Sequence, residues 1–148
     1  MRAVIQRVSR AACTVGGEVV GAIGPGMVIL LAVGRSDTND DLEFLANKII
    51  NLRIFEDADG KMNLNIRQVG GAILLISQFT LYGDARKGNR PSFIDAAPPE
   101  TAKVYYERMA EKLRAEVPVQ TGTFQAMMEI DLVNSGPVTI LLDSSRAF

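Results

Sequence analysis

No histidine occurs among the 148 residues, and that absence excludes more than any motif present. A Ser-His-Asp or Cys-His catalytic group is impossible, and so is a histidine-ligated metal site. Any proton transfer must use carboxylate, lysine, tyrosine, water or the substrate itself. One cysteine, Cys13, rules out an internal disulfide and fits a reducing cytoplasm. The longest uninterrupted apolar run, Met27 to Val33, is too short to cross a bilayer. The opening "MRAVIQRVSR" lacks the apolar stretch of a signal peptide, so a cytoplasmic location without membrane is expected. Net charge is −1, so a polyanionic partner would have to be met by a local basic patch.

What is present is an ordinary globular composition, 47% apolar and 22% charged, and one domain over residues 1–148 is expected. The first third reads as β: "MRAVIQRVSRAACTV", "GEVVGAI" and "GMVILLAVG", separated by Gly16-Gly17 and Gly24-Pro25-Gly26, which predict hairpins. From Ser36 the period changes. Leu42, Leu45, Ile49 and Leu52 recur at helical spacing, and Asp40 and Asp41 suit the positive end of the helix dipole. A polar turn, Glu56 to Lys61, leads to a predicted strand from Ala72 to Leu81. A second helix is expected after Pro98-Pro99, with Ala102, Tyr105, Met109 and Leu113 on one face. Two strands joined around "NSGP" are expected from Met127 to Asp143. The fold class is therefore α+β, an antiparallel or mixed sheet with two packed helices.

Several stretches resemble functional sites without meeting their requirements. "EDADGKMNLN" places Gly60 fourth in a frame that starts at Asp57 and reaches Gln68 at its twelfth position, where a calcium loop needs glycine sixth and glutamate twelfth. A polar turn is the better reading. "GDARKGNR", Gly83 to Arg90, has Asn89-Arg90 where a phosphate loop requires Lys-Ser or Lys-Thr, so a nucleoside-triphosphate site is rejected. Its cations Arg86, Lys87 and Arg90 can still meet phosphates one at a time, and a solvated loop is the competing reading. Cys13 lies in an apolar strand pattern and reads as a small buried hydrophobe.

Two segments resist a purely structural explanation. "SQFT", Ser77 to Thr80, puts a hydroxyl and an amide into an apolar strand. With no histidine to activate it, Thr80 is a poor nucleophile. Backbone N–H groups at a strand end can face a developing oxyanion without any ionisable side chain. "NSGPVT", Asn134 to Thr139, interrupts a strand pattern with a proline that cannot donate to the ladder. A hairpin turn explains it; so does a cis Gly136-Pro137 bond, which for X-Pro costs only about 0.5–1 kcal/mol.

These two segments together resemble the D-aminoacyl-tRNA deacylases, also called D-tyrosyl-tRNA deacylases. "SQFTL" stands at Ser77 to Leu81, "KGNRPSF" at Lys87 to Phe93, and the Gly-Pro signature at Asn134 to Thr139. The opening "MRAVIQRV", the run from Gly21 to Gly34 and the chain length also fit, so the likeness covers nearly the whole chain. Ala32 stands where the pattern leads one to expect glycine. The resemblance implies a homodimer of compact β-barrel-like subunits that hydrolyses the ester of D-aminoacyl-tRNA and clears mischarged glycine. It implies a cis Gly136-Pro137 gate that enters the partner's pocket and rejects L-amino acids. Ser77, Gln78, Phe79 and Thr80 would line the reacting end, with Arg86, Lys87 and Arg90 on the tRNA. No cofactor and no metal are implied. Without the resemblance, two other classes stay open: a nucleic-acid-binding module using the three cations, and a hydrolase of small anionic esters using Asp84 or Lys87.

Overall fold

The computed structural model describes residues 1–147. Its organising element is a long first strand, β1 (Arg2–Val15), which hydrogen-bonds to three other strands. On one edge it meets β8 (Glu129–Asp143) antiparallel along nearly its whole length, from Arg2↔Asp143 to Thr14↔Glu129. Its other edge is shared. Residues 2–8 pair with β3 (Gly26–Ala32), and residues 11–15 pair with β2 (Glu18–Ile23). Only a strand that bends midway can serve two partners on one edge, so the sheet curls.

Gly16-Gly17 makes the expected hairpin between β1 and β2, and both glycines take positive φ. The second expected hairpin does not form. After Gly24-Pro25 the chain steps across to the other half of β1, so β3 does not pair with β2. Gly26 permits this step. A Cβ there would lie 1.9 Å from the Ala72 carbonyl oxygen.

β6 (Ala72–Ser77) runs parallel to β3, and β7 (Val119–Thr121) runs parallel to β6, giving the path β2-β1-β3-β6-β7. β2 then packs back over β6 and β7, where a Cβ on Gly21 would come within 2.8 Å of the Thr121 carbonyl. The result is a nearly closed mixed barrel. A two-stranded ribbon, β4 (Phe55–Glu56) with β5 (Met62–Leu64), flanks it and contains the polar turn.

The central parallel strands are buried on both faces, as parallel sheets require. Met27, Ile29, Leu31, Ile73 and Leu75 face the main core, where α1 (Asn39–Asn51) and α2 (Pro99–Arg114) pack. Val28, Leu74 and Ile76 point the other way, onto Val8, Ala11 and Cys13 inside the barrel. α1 buries Leu42, Leu45, Ala46, Ile49 and Ile50, close to the predicted stripe. α2 buries Tyr106, Met109, Ala110 and Leu113, so Tyr106 rather than Tyr105 occupies the core face. No helix of the described residues is long and apolar enough to cross a membrane.

Two further sequence expectations change. The predicted strand Ala72–Leu81 ends at Ser77, and Phe79–Tyr82 forms a 3-10 turn after Gln78 leaves the sheet at φ −141, ψ 72. The "NSGP" segment is no hairpin either. β8 is one strand of 15 residues, and the interruption is absorbed as register shifts against β1 between Gln6 and Arg10.

Candidate active site

The end of β6 and the turn after it form one wall of a largely apolar cavity of about 810 Å³. That is within the range of roughly 300–1,000 Å³ usual for a small-molecule site. Ser77, Gln78, Phe79 and Thr80 all line it, so the residues chosen from sequence do lie together. Opposite them stand Phe93, the start of α2 through Ala102 and Tyr106, and the segment Phe124–Met128 between β7 and β8. Phe79, 55% exposed, meets Phe93 edge to face at 5.2 Å.

The break in the strand has a chemical consequence. The Gln78 N–H donates to the Leu31 carbonyl at 2.7 Å and is not available to a ligand. The next two N–H groups, of Phe79 and Thr80, begin the 3-10 turn. Initial N–H groups of a helical turn have no partner within it. Among the described residues neither takes part in a backbone hydrogen bond, whereas Leu81 N–H donates back to Gln78 and Gly83 N–H to Thr80. Two N–H groups without a backbone partner among the described residues therefore belong to residues that line the cavity. The Gln78 side-chain amide donates to the Thr80 hydroxyl, which fixes both side chains beside them.

Ionisable groups that could act in the cavity are few. Tyr106 is buried, its hydroxyl donates to the Leu75 carbonyl at 2.8 Å, and burial pushes its pKa up to about 12. Burial also pushes the Cys13 thiol up, so it is no thiolate nucleophile. Among the described residues no group of three or more Cys, Asp or Glu side chains is placed to hold a metal ion.

The basic loop is tied at its base. Asp84 and Ser92 exchange backbone hydrogen bonds at 2.8 and 2.9 Å, so residues 85–91 project as a closed excursion. Arg86, Lys87 and Arg90 are all exposed on it. Arg86 folds back onto Asp84, at 2.7 and 2.9 Å. Side-chain and backbone hydrogen bonds from Arg86 hold the Asp84 carboxyl well below the usual carboxylate range. Asp84 is therefore an ionised partner of Arg86 rather than a base.

Gly136 and Pro137 lie elsewhere. Their peptide bond is cis, both residues are exposed on β8, and neither lines the cavity of its own chain. The segment is anchored by Arg7, a buried cation on β1 that sequence reading passed over. Its Nε donates to the Ser135 carbonyl at 2.9 Å, its Nη1 to the Ile54 carbonyl at 2.7 Å, and Glu56 lies 3.7 Å away. Asn134 adds a second tie by accepting the Val138 N–H at 2.9 Å. Gln125 and Phe124 were also missed. "TGTFQA" carries neither a charge nor a turn glycine at the relevant position, so nothing in it marks a pocket wall.

Fold and cavity define a small mixed-barrel protein with one wide, largely apolar cavity at the end of β6. The chain belongs to the D-Tyr-tRNA(Tyr) deacylase family, whose model matches residues 4–143. It is 58% identical to the D-aminoacyl-tRNA deacylase of Symbiobacterium thermophilum, covering 100% of this chain and 99% of that one. It is 60% identical to the one from Anaeromyxobacter dehalogenans, with 100% of both chains covered. A solved structure titled c-Myc DNA Unwinding Element Binding Protein superposes with a TM-score of 0.92 at 44% identity, covering 97% of this chain and 98% of that one. A probable eukaryotic D-amino acid tRNA deacylase shares the fold, with a TM-score of 0.80 at 17% identity over 95% and 97% of the two chains.

Proposed function

We propose that this chain, acting as one domain in a homodimer, hydrolyses the ester joining a D-amino acid or glycine to the 3′ end of tRNA. The observation that carries the reading is the pair of unengaged N–H groups of Phe79 and Thr80 at an apolar cavity that has no base. An aminoacyl ester is already activated, so its hydrolysis needs an oriented water and stabilisation of the oxyanion more than a strong base. Water attacks the ester carbonyl, whose oxygen gathers charge against the two N–H groups. The C–O bond to the ribose then breaks, and the departing oxygen takes a proton. The neighbouring ribose 2′-hydroxyl is held where it can relay that proton, and such proximity contributes several kcal/mol. Thr80, held by Gln78, supports the turn and is not the nucleophile.

Selectivity comes from the partner subunit. Gly136 and Pro137 stand exposed on an edge strand beside the exposed Val133 and Leu141, and outside their own cavity. An isologous dimer would bring this edge to the other subunit's cavity. There the Gly136 carbonyl occupies the place an L side chain would need. Steric overlap excludes L substrates far more strongly than the 1–3 kcal/mol or so of a missing methylene, and it leaves glycine unhindered. Arg86, Lys87 and Arg90 meet phosphates of the acceptor stem.

The deciding experiment is deacylation of one tRNA charged in turn with a D-amino acid, its L enantiomer and glycine. Release from the D and glycyl esters with the L ester intact is expected. Equal release from D and L would remove the gate, and release from none would remove the enzyme.

A further inference from the structure

The 3-10 turn Phe79–Tyr82 carries the two N–H groups on which the proposed hydrolysis depends, yet it buries none of its four residues. Core packing therefore does not fix where it sits. Its start is tied to the sheet, through the Gln78 N–H and the Leu31 carbonyl. At its end, Leu81 and Gly83 donate back to Gln78 and Thr80, which leaves the Leu81 carbonyl without a partner inside the turn.

Arg2, at the start of β1, meets that end. Its Nη1 donates to the Leu81 carbonyl at 3.0 Å, and its guanidinium lies over the Tyr82 ring at 4.5 Å. Among the described residues no other group donates to that carbonyl. The ring has little room to retreat on the side of Gly34, where a Cβ would fall 2.5 Å from its hydroxyl oxygen. Tyr82 is held between a cation and a backbone.

The guanidinium is itself fixed from behind. Its Nε donates to Asp143 Oδ2 at 3.0 Å, across the register pair Arg2↔Asp143 between β1 and β8. Asp143 is buried, and its other oxygen accepts the Ser145 N–H at 2.7 Å and hydroxyl at 2.5 Å. A planar fork with several donors can serve a carboxylate, a carbonyl and a ring face at once. A continuous line of contacts thus runs from the end of β8 to the turn. Reacting groups are kept in place by neighbours that hydrogen bonds lock in their turn. Arg2 is such a neighbour, and it does not line the cavity.

We infer that Arg2 is a positioning residue for the hydrolysis, setting the 3-10 turn so that the Phe79 and Thr80 N–H groups face the ester oxygen. This rests on the deacylase reading above. Arg2 touches no substrate, so it acts on turnover and leaves substrate binding alone.

The test compares Arg2→Lys and Arg2→Met with the wild-type protein on D-aminoacyl-tRNA, at a temperature where circular dichroism shows each one folded. Lysine keeps a charge opposite Asp143, but one ammonium cannot also hold the Leu81 carbonyl and cover Tyr82. Both variants should lose kcat by roughly tenfold or more, because a small misplacement of reacting groups is costly. KM should stay close to the wild-type value, since binding common to ground and transition states is untouched. Hydrogen exchange should quicken over residues 78–83 while β6 stays protected. Arg2→Met also deprives the buried Asp143 of its cation; if it does not fold, Arg2→Lys carries the test alone. Unchanged kcat in the folded variants, or a rise in KM at constant kcat, overturns the inference. So does exchange that quickens in β6 as much as in the turn, which marks a merely structural role. If the wild-type protein releases no amino acid, the inference falls together with the deacylase reading. An active wild-type protein with indifferent variants removes Arg2 alone.

Discussion

The Arg7 guanidinium donates to the Ser135 carbonyl at 2.9 Å, across the point where β1 and β8 lose register. The same side chain donates to Ile54 at 2.7 Å, so one buried fork joins the β8 interruption to the segment that leads into the ribbon. A lysine cannot satisfy both carbonyls with the same rigid geometry. Arg7→Met should leave two acceptors unpaired, at about 1–3 kcal/mol each. Thermal unfolding should fall by several degrees, since about 1 kcal/mol shifts a domain of this size by roughly 2–4 °C. The ratio of D to L deacylation should fall with it, because the proposed gate at Gly136-Pro137 loses its anchor. An unchanged midpoint together with an unchanged ratio would show that the bond holds nothing functional.

The proposed catalysis by backbone groups and substrate makes an unusual pair of expectations. Thr80→Ala should keep substantial deacylation, because the N–H at that position survives the substitution. A tRNA ending in 2′-deoxyadenosine and charged on its 3′-hydroxyl should bind nearly as well yet be cleaved much more slowly. Single-turnover rates measure both. Loss of activity in a folded Thr80→Ala protein would make the hydroxyl essential, and equal rates on both tRNAs would end substrate assistance.

The ion pair between Arg86 and Asp84 changes how the basic loop should respond. Lys87→Ala and Arg90→Ala should weaken tRNA binding across sequences and flatten its salt dependence, each lowering the slope by about one. Arg86→Ala should do less, because Asp84 already neutralises much of its charge. Asp84→Asn should free Arg86 and steepen the slope. Binding isotherms at several salt concentrations decide the matter. A slope indifferent to all four substitutions would leave the loop merely solvated.

Periodicity made much of this fold legible. The apolar stripe of α1 and the double-sided burial of β3 and β6 follow from local patterns that tertiary packing then reinforced. The path of the sheet did not. A hairpin at Gly16-Gly17 and a crossover at Gly24-Pro25-Gly26 have the same local punctuation, and only the bend in β1 separates them. Ser77–Thr80 was legible as an odd polar break in an apolar strand, but that the Gln78 N–H is taken by the Leu31 carbonyl was not, because Leu31 is distant in sequence. Arg7 was invisible for the same reason. Its role depends on Ser135 and Ile54, and nothing near residue 7 announces a buried cation.

Tyr106 links stability to alkaline pH. Its hydroxyl is buried and bonded to Leu75, and its folded pKa rises from the ordinary 10 to about 12. The folded state therefore holds the proton where the unfolded chain has released it. Stability from this group is fully present below pH 10 and is lost as pH climbs toward about 12. Tyr106→Phe should remove that alkaline component of the unfolding profile. It should also cost about 1 kcal/mol at neutral pH for the lost hydrogen bond, the Leu75 carbonyl keeping the Gly122 N–H at 3.2 Å. Denaturant unfolding of both proteins between neutral pH and pH 12 checks the sign, and matching profiles would assign the alkaline loss to other groups.

Gly136→Ala tests the gate from inside its own subunit. The glycine sits at φ +135, a conformation L residues rarely adopt, and strain of that kind costs about 1–3 kcal/mol. An added Cβ would lie 2.8 Å from Arg7 Nη2, 2.8 Å from Val138 Cγ2 and 3.1 Å from the Val138 backbone nitrogen. It therefore points inward, against the anchor, rather than outward toward a partner. The arginine tip can yield, but the Val138 nitrogen cannot, because its N–H is held by Asn134 at 2.9 Å. The segment must move, and with it the Gly136 carbonyl. Deacylation of D and glycyl substrates should both drop, with a lower unfolding midpoint. Because part of the clash is with Arg7, the double variant with Arg7→Met should lose less stability than the two single losses added together. A shortfall of at least about 0.5 kcal/mol is expected for residues in contact. Strict additivity would mean that the methyl group and the guanidinium never meet, and that Arg7 does not set the position of Gly136.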